Sequence, residues 1–388
     1  MSPSWLREGR RKDQAVSRDL VIAAYRQLLG REPESEQVIE LYMQKAATPE
    51  ELLGFLLQSD EYAHKLEQLL LNKLVWNPEL SVKANPFSGC SAGDLALIRK
   101  YFSREVQPEA GFVTDRLGVR TRASSLWKDA QHLSGAVLPP PIPADFHAGA
   151  VEWVGLLKAV DSAEDSLRVL ELGAGWGPWV VAAGVAARNS GITDIVLAAV
   201  EADPEHFQFL RQHLSDNGFD PDKQRLFQAA VGVERGRAHW PVLDSRNDWG
   251  SRPIPMTPID DQGPAIDYLG REFVETLSVE VLPFEELLRL EERWNLVHVD
   301  VQGEEAKICR AAIERLNERV HWLAIGTHSR SVEAALLELL STADWELENE
   351  SPVYFKFRRG APTLEALAVN DGTQVWRNPR LDSIKEPH

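Results

Sequence analysis

Val169-Leu-Glu-Leu-Gly-Ala-Gly-Trp-Gly-Pro-Trp179 joins an apolar run carrying one acid, Glu171, to three alternate glycines, Gly173, Gly175 and Gly177. An apolar run suited to a helix, residues 180 to 187, comes next. That order predicts a buried strand, a tight turn and a helix start, the place where open α/β sheets bind nucleotide ligands. The glycines let the backbone take strained turns and approach a ligand closely. Spacing narrows the ligand. A dinucleotide fingerprint, G-x-G-x-x-G, needs glycine at 178, and that residue is Pro178.

Beyond the turn, residues 194 to 200 form a continuous apolar run that ends in Glu201. Such runs suit parallel strands buried on both faces. Residues 204 to 217 read as a helix, and 225 to 231 as a third strand. Residues 235 to 276 read as irregular. A strand over 277 to 282 and a short helix over 283 to 290 follow. A fourth sheet strand covers 295 to 300 and a fifth covers 320 to 325. Residues 345 to 348 and 353 to 357 read as a final antiparallel pair. Alternation of strand and helix predicts an α/β fold, a mostly parallel sheet with helices on both faces. The closing hairpin departs from a pure dehydrogenase pattern.

The front of the chain is different. Residues 14 to 75 read as short helices, with Leu20, Ala24 and Leu28 on one face of the first. Thr48-Pro49-Glu50-Glu51 reads as an N-cap, a first-turn proline and a capping-box acid. A helix from Asp94 capped near Ser91 is expected, and Leu138-Pro-Pro-Pro-Ile-Pro143 reads as a stiff extended linker. Three segments follow from this: a small all-α domain at 1–80, a linker and lid at 81–145, and the α/β domain at 146–388. Within the lid, Asp115, Arg116 and Arg120 are the polar candidates. His147 and Glu152 lie on the helix that enters the first strand.

With 388 residues, 44% of them hydrophobic, the chain can bury a core in more than one domain. A net charge of −17 argues against nucleic acid as a general partner. Two cysteines, Cys90 and Cys309, cannot build a disulfide framework or a zinc cluster. No apolar stretch approaches the roughly 20 residues of a membrane span. A cytoplasmic protein is the expectation.

The E-x-G-x-G-x-G form of the turn resembles motif I of class I methyltransferases. Gly-Ala-Gly-Trp-Gly, the acid in Val200-Glu-Ala-Asp-Pro204, Phe209-Leu-Arg-Gln-His-Leu-Ser-Asp-Asn217, Ala229-Ala-Val-Gly232 and Val299-Asp-Val-Gln-Gly-Glu-Glu305 follow in order. Together, over roughly residues 165 to 330, they resemble the FkbM-type methyltransferases. Tyr25-Arg-Gln-Leu-Leu-Gly-Arg-Glu-Pro33 and Phe55-Leu-Leu-Gln-Ser-Asp-Glu-Tyr62 resemble a helical module related to phycobilisome linkers. The resemblance implies a Rossmann-like class I methyltransferase fold with a seven-stranded sheet. It implies S-adenosylmethionine as cofactor, and methylation of hydroxyls, often on sugars, polysaccharides or polyketides. The front module implies docking or homo-oligomerisation.

Site residues follow. Glu171, Gly173, Ala174, Gly175, Trp176 and Gly177 would form the cofactor turn. Glu201 would accept hydrogen bonds from the ribose hydroxyls, and Ala229 and Ala230 would leave room for the adenine. Asp300 and His328 are the candidates for the transfer site, because a hydroxyl needs a base within hydrogen-bond reach. Two such ligands are too few to argue a metal, and none is expected. The family usually carries an acid at position 302, and this chain has Gln302. Asn247, Trp249 and Arg252 offer the aromatic face and polar edges that suit a carbohydrate or glycan-like acceptor. The competing readings are an NAD-dependent oxidoreductase, and a docking protein with a degenerate transferase domain.

Overall fold

The computed structural model describes residues 16–29, 31–57, 59, 61–62, 89–243, 249–254 and 265–382. It divides into two compact units, Met1–Asn85 and Pro86–His388. In the first, α1 (Arg18–Ala24) starts at a Ser17 cap and runs into a π turn, Tyr25–Leu29. Ser35 caps α2 (Glu36–Lys45). At α3 (Pro49–Leu57), the Thr48 hydroxyl accepts from Glu51 N, and the Glu51 carboxylate accepts from Ala47 N. Proline at the first helical position and reciprocal capping therefore set this helix start. Val21, Tyr25, Ile39, Leu52 and Leu56 form the small core.

The second unit opens with α4 (Ala92–Tyr101), started by a capping box between Ser91 and Asp94. A small sheet follows: β1 (Phe112–Asp115) pairs antiparallel with β2 (Arg120–Arg122) and parallel with β3 (Val137–Leu138). The alternating units of the main layer come next: α5 (Ala150–Asp161), β4 (Ser166–Leu172), α6 (Pro178–Asn189), β5 (Asp194–Glu201), α7 (Pro204–Asp216) and β6 (Arg225–Gln228). Then come β7 (Ala230–Gly232), β8 (Gly236–Pro241), β9 (Ala265–Ile266), β10 (Glu272–Phe273), β11 (Thr276–Pro283), α8 (Phe284–Leu288) and β12 (Trp294–Val299). The chain continues through α9 (Glu305–Ala311), α10 (Ile313–Arg319), β13 (Val320–Thr327), α11 (Arg330–Thr342), β14 (Glu346–Ser351), β15 (Tyr354–Phe355), β16 (Ala368–Asn370) and β17 (Gly372–Arg377).

Seven strands make the main sheet, in the order β14-β17-β13-β12-β4-β5-β6. From β6 to β13 every pairing is parallel, and β17 is antiparallel to both neighbours. This is a Rossmann-like α/β fold. Leu170, Val297 and Ile325 pack with Leu316, Leu336 and Trp376 in one hydrophobic core cluster. Register aligns the strand ends: Leu172 pairs with Val299 on one side and Val200 on the other. Gly173, Asp300 and Glu201 therefore leave the sheet side by side at its carboxyl edge.

Three expectations need correction. The third strand is not continuous to 231. It breaks at Ala229, whose N–H bonds the Glu201 carbonyl, and β7 joins a second sheet, β7-β11-β8. The segment 235 to 276 is not all irregular, since β8 pairs along β11. Finally, β14 pairs with β17 and not with 353–357. Tyr354 and Phe355 are exposed and belong to a separate ribbon with β16. The polar-looking Gly-Thr-Gln-Val-Trp-Arg strand of β17 is the buried one.

The segment read as a linker and lid carries, from residue 89 onward, α4 and the β1–β3 sheet. Arg122 makes a two-pronged ion pair with Asp216, and Arg120 N bonds the Asn217 side chain. These contacts fasten β2 to the end of α7. Among the described residues, no helix is long and apolar enough to cross a membrane.

Candidate active site

The glycine turn takes its shape from left-handed backbone. Gly173, Gly175 and Gly177 have φ of 74°, 55° and 72°. A side chain at Gly173 would overlap the Asp300 carbonyl, so the turn also lets β4 and β12 end in contact. Pro178 then opens α6 at its first position.

Glu171 does not face outward to a ligand alone. It is buried, and its carboxylate accepts from Trp179 N at 3.4 Å and Val180 N at 2.8 Å, at the start of α6. Burial pushes its carboxyl up to about 8. Glu201 closes the turn from β5. Gly175 N and Asp203 N each donate to it at 2.7 Å. Burial raises its carboxyl too. Asp203 fills the capping role at α7, accepting from Glu205 N and His206 N.

One cavity of about 1000 Å³ takes in the turn, Glu201, Ala229, Ala230, Trp249, Asp300 and His328. Trp249 lies over Gly175, stacks on His206 with ring centroids 4.0 Å apart, and meets Trp176 edge-on. Trp127 completes that aromatic wall.

In the same cavity, Asp300 Oδ1 accepts from Gln302 Nε2 at 2.7 Å and lies 3.2 Å from His328 Nε2. His328 Nδ1 in turn lies 3.0 Å from Glu305 Oε1. Burial disfavours a charge on His328, but Glu305 and Asp300 outweigh it, so the imidazole titrates well above its ordinary range. Burial likewise opposes the Asp300 charge, and His328 overrides it, holding that carboxyl below its usual value. Tyr268 lies with its hydroxyl 2.8 Å from Gln302 Oε1.

The structure brings together nearly all the residues singled out from sequence. Glu171, Gly173, Ala174, Gly175, Trp176, Glu201, Ala229, Ala230, Trp249, Asp300 and His328 line the cavity, and Gly177 packs behind the turn on Leu210. His147 and Glu152 also line it. Arg252 is not on that wall; its guanidinium stacks on the Tyr268 ring, 4.3 Å from the centroid. Asn247 lies outside the described residues. Asp115 accepts from Gly118 N and Val119 N and shapes the β1–β2 turn.

Sequence reasoning missed Glu305, His298 and Asp371. His298 is buried on β12, with Nε2 2.8 Å from Glu152 Oε1. Strand periodicity carried a signal for it, since residues 298 and 300 share one face. Glu305 closes the Val299-to-Glu305 motif, and that local signal was read only for Asp300 and Gln302. Cys90 lines the cavity as well, but burial pushes its thiol up to about 12, so little thiolate forms near neutrality.

No family model matches the chain. It is 28% identical over 285 residues to a protein of Jannaschia sp. (strain CCS1) named "Putative methyltransferase", covering 73% of this chain and 98% of that protein. Among solved structures, it is similar to a precorrin-6y C5,15-methyltransferase from Geobacter metallireducens GS-15, with 14% identity, 60% of this chain and 89% of that chain covered, and a TM-score of 0.33. It is also similar to methyltransferase FkbM from Methylobacillus flagellatus KT, with 15% identity, 55% and 44% covered, and a TM-score of 0.33. By sequence, the chain is thus similar to the protein named "Putative methyltransferase" along nearly the whole length of that relative.

Proposed function

We propose that this chain is a methyltransferase that takes S-adenosylmethionine as methyl donor and methylates a hydroxyl of a carbohydrate or glycan-like acceptor. The observation that carries the reading is one cavity lined by the glycine turn and Glu201 together with Asp300 and His328. The residues fit the cofactor. The left-handed glycines leave a cradle that side chains would fill, Glu201 presents a carboxylate at the tip of β5, and Ala229 and Ala230 leave space beside it. When bound, the cofactor supplies an electrophilic methyl on a sulfonium.

The chain's own groups do the rest. Gly173, Gly175 and Gly177 would admit the cofactor to the backbone, and Glu201 would accept from its ribose hydroxyls. The Asp300 side chain is 36% exposed and, held ionised by His328, would accept the hydrogen bond of the acceptor hydroxyl. A strong base is not needed. The oxygen becomes acidic as its bond to carbon forms, so a carboxylate of low basicity can take the proton. Alignment supplies much of the acceleration. Trp127, Trp176 and Trp249 offer apolar faces for the C–H surfaces of a sugar, as polar groups nearby offer hydrogen bonds for its hydroxyls. The antiparallel β17, like Pro178, sets the sheet apart from an all-parallel dinucleotide fold and disfavours the oxidoreductase reading. In this reading the front helical unit, on which Leu41, Leu53 and Leu57 stay exposed, serves docking or self-association.

Isothermal titration tests the cofactor end. S-adenosylmethionine should bind the full chain with one site, and NAD⁺ should give no heat. Glu201→Ala should weaken binding at least tenfold, about 1.4 kcal/mol. Unchanged affinity in that variant, or binding of NAD⁺ alone, would overturn the assignment.

A further inference from the structure

Around Asp300 and His328 the cavity holds more than the two residues the sequence brought to notice. Asp300 and His328 stand at the ends of β12 and β13, which are neighbours in the sheet. Glu305, in the first turn of α9, swings in from behind. Its Oε1 accepts from Gly303 N at 2.9 Å and Val301 N at 3.1 Å, which pins the carboxylate in place. The result is a row: Asp300 Oδ1, the His328 ring, Glu305 Oε1. One ligand atom from each of the three residues lies within 4.8 Å of the others.

Glu305 is fully buried, and its second oxygen, Oε2, has no hydrogen-bond partner. The neighbouring His328 Nδ1 is within ion-pair distance of Oε1 but off the angle of a hydrogen bond, and it too is left without one. A buried carboxylate oxygen with no partner is costly, by about 1–3 kcal/mol or more for a charged group. Metal binding displaces the proton of the imidazole, and the two carboxylates then carry two negative charges that one divalent cation balances. Asp371 and Glu304 line the same cavity and add to its negative field. Because Asp300 is partly exposed, such an ion would keep an open position toward the cavity.

We propose that Asp300, Glu305 and His328 form a binding site for one divalent cation. Two carboxylates and one imidazole suit an ion of the Mn²⁺ type better than Ca²⁺, which prefers oxygen alone. A part for that ion in holding the acceptor oxygen rests on the methyltransferase reading above; the binding itself does not.

The test is a titration of the chelator-treated full chain with MnCl₂, following the paramagnetic resonance signal of the free ion. One saturable site per chain is expected, with a rise in melting temperature as it fills. His328→Ala and Asp300→Asn should each weaken binding by at least about tenfold. Glu305→Gln should do the same. Should that buried substitution fail to fold, the two other variants still decide. No saturable binding, or binding that His328→Ala and Asp300→Asn leave unchanged, would sink the inference. Titration of S-adenosylmethionine on the same samples separates the two readings. A chain that binds the cofactor but not Mn²⁺ overturns only the metal site. One that binds Mn²⁺ but not the cofactor overturns only the transferase assignment.

Discussion

Gln302 sits at φ 58°, a left-handed angle that residues other than glycine seldom adopt. The strain costs on the order of 1 kcal/mol and persists because the side chain is held at both ends. Nε2 donates to Asp300, and Oε1 faces the Tyr268 hydroxyl. Related sequences were expected to carry an acid here, and the contacts give a physical reason for an amide. An amide donates to Asp300 while accepting from a phenol, whereas an ionised carboxylate can only accept. Gln302→Glu would place a second carboxylate against the first. Two such groups in contact resist joint ionisation, so the pair titrates upward. A raised carboxyl contributes stability that is present at low pH and lost as pH rises through the raised value. Urea unfolding should therefore show the variant ~1–2 kcal/mol less stable than the parent at pH 8, with the gap narrowing at pH 5. An equal gap at both pH values would mean that lost geometry, not charge, is responsible.

At the scale of the element, the glycine turn gives the sharpest contrast. Gly173→Ala puts a methyl group into the Asp300 carbonyl and an alanine at φ 74°, so β4 and β12 cannot both keep their ends. A loss of ~3 kcal/mol or more is expected. Gly175→Ala meets only the Trp249 ring at 3.5 Å, an ordinary contact, and should cost ~1 kcal/mol for the backbone angle alone. Chemical denaturation of the two variants checks the order, and equal losses would contradict the packing argument. The turn was legible in sequence because its glycines are local and their spacing is diagnostic. The parallel strands were legible for a similar reason, since strands buried on both faces are apolar throughout. β17 was not. Its Thr373 and Gln374 look like a surface strand, yet Gln374 is fully buried and meets Glu350 and the Glu333 carbonyl. Partners distant in sequence satisfy its amide N–H, and Trp376 Nε1 donates to its Oε1. The same holds for the site. Glu201 and Asp300 end their own strands and could be read from them. Glu305 and Glu152 reach His328 and His298 from other helices, and no local pattern announces such pairings.

Across the second unit as a whole, His213 is the residue that ties the front segment to the cofactor turn. It lies on α7, buried, with Nδ1 3.0 Å from the Trp176 carbonyl and Nε2 3.0 Å from the Thr121 hydroxyl of β2. Both contacts suit the neutral ring, with Nδ1–H donating to the carbonyl and Nε2 accepting from threonine. Arg122 and Asp216 pair beside it, so α7, β2 and the turn meet at one point. Burial lowers the imidazole to about 4 from an ordinary 6.5. The sign follows from linkage. Above pH 6.5 neither folded nor unfolded chain holds the proton, and the group costs nothing. Below it the unfolded chain takes up the proton first, so stability falls, down to about pH 4 where the folded chain protonates as well. The full loss is on the order of 3 kcal/mol. Other groups titrate in the same window, but they are shared by a variant that cannot ionise here. His213→Gln should be less stable than the parent at pH 7 by ~1 kcal/mol, through its altered hydrogen bonds. Its stability should then decline less steeply between pH 6.5 and 4.5, so that the two curves converge or cross. Urea unfolding followed by far-ultraviolet dichroism at pH 7, 5.5 and 4.5 measures this difference. Parallel curves would show that His213 is free to protonate in the folded chain, and that the junction of α7, β2 and the turn does not depend on a neutral ring.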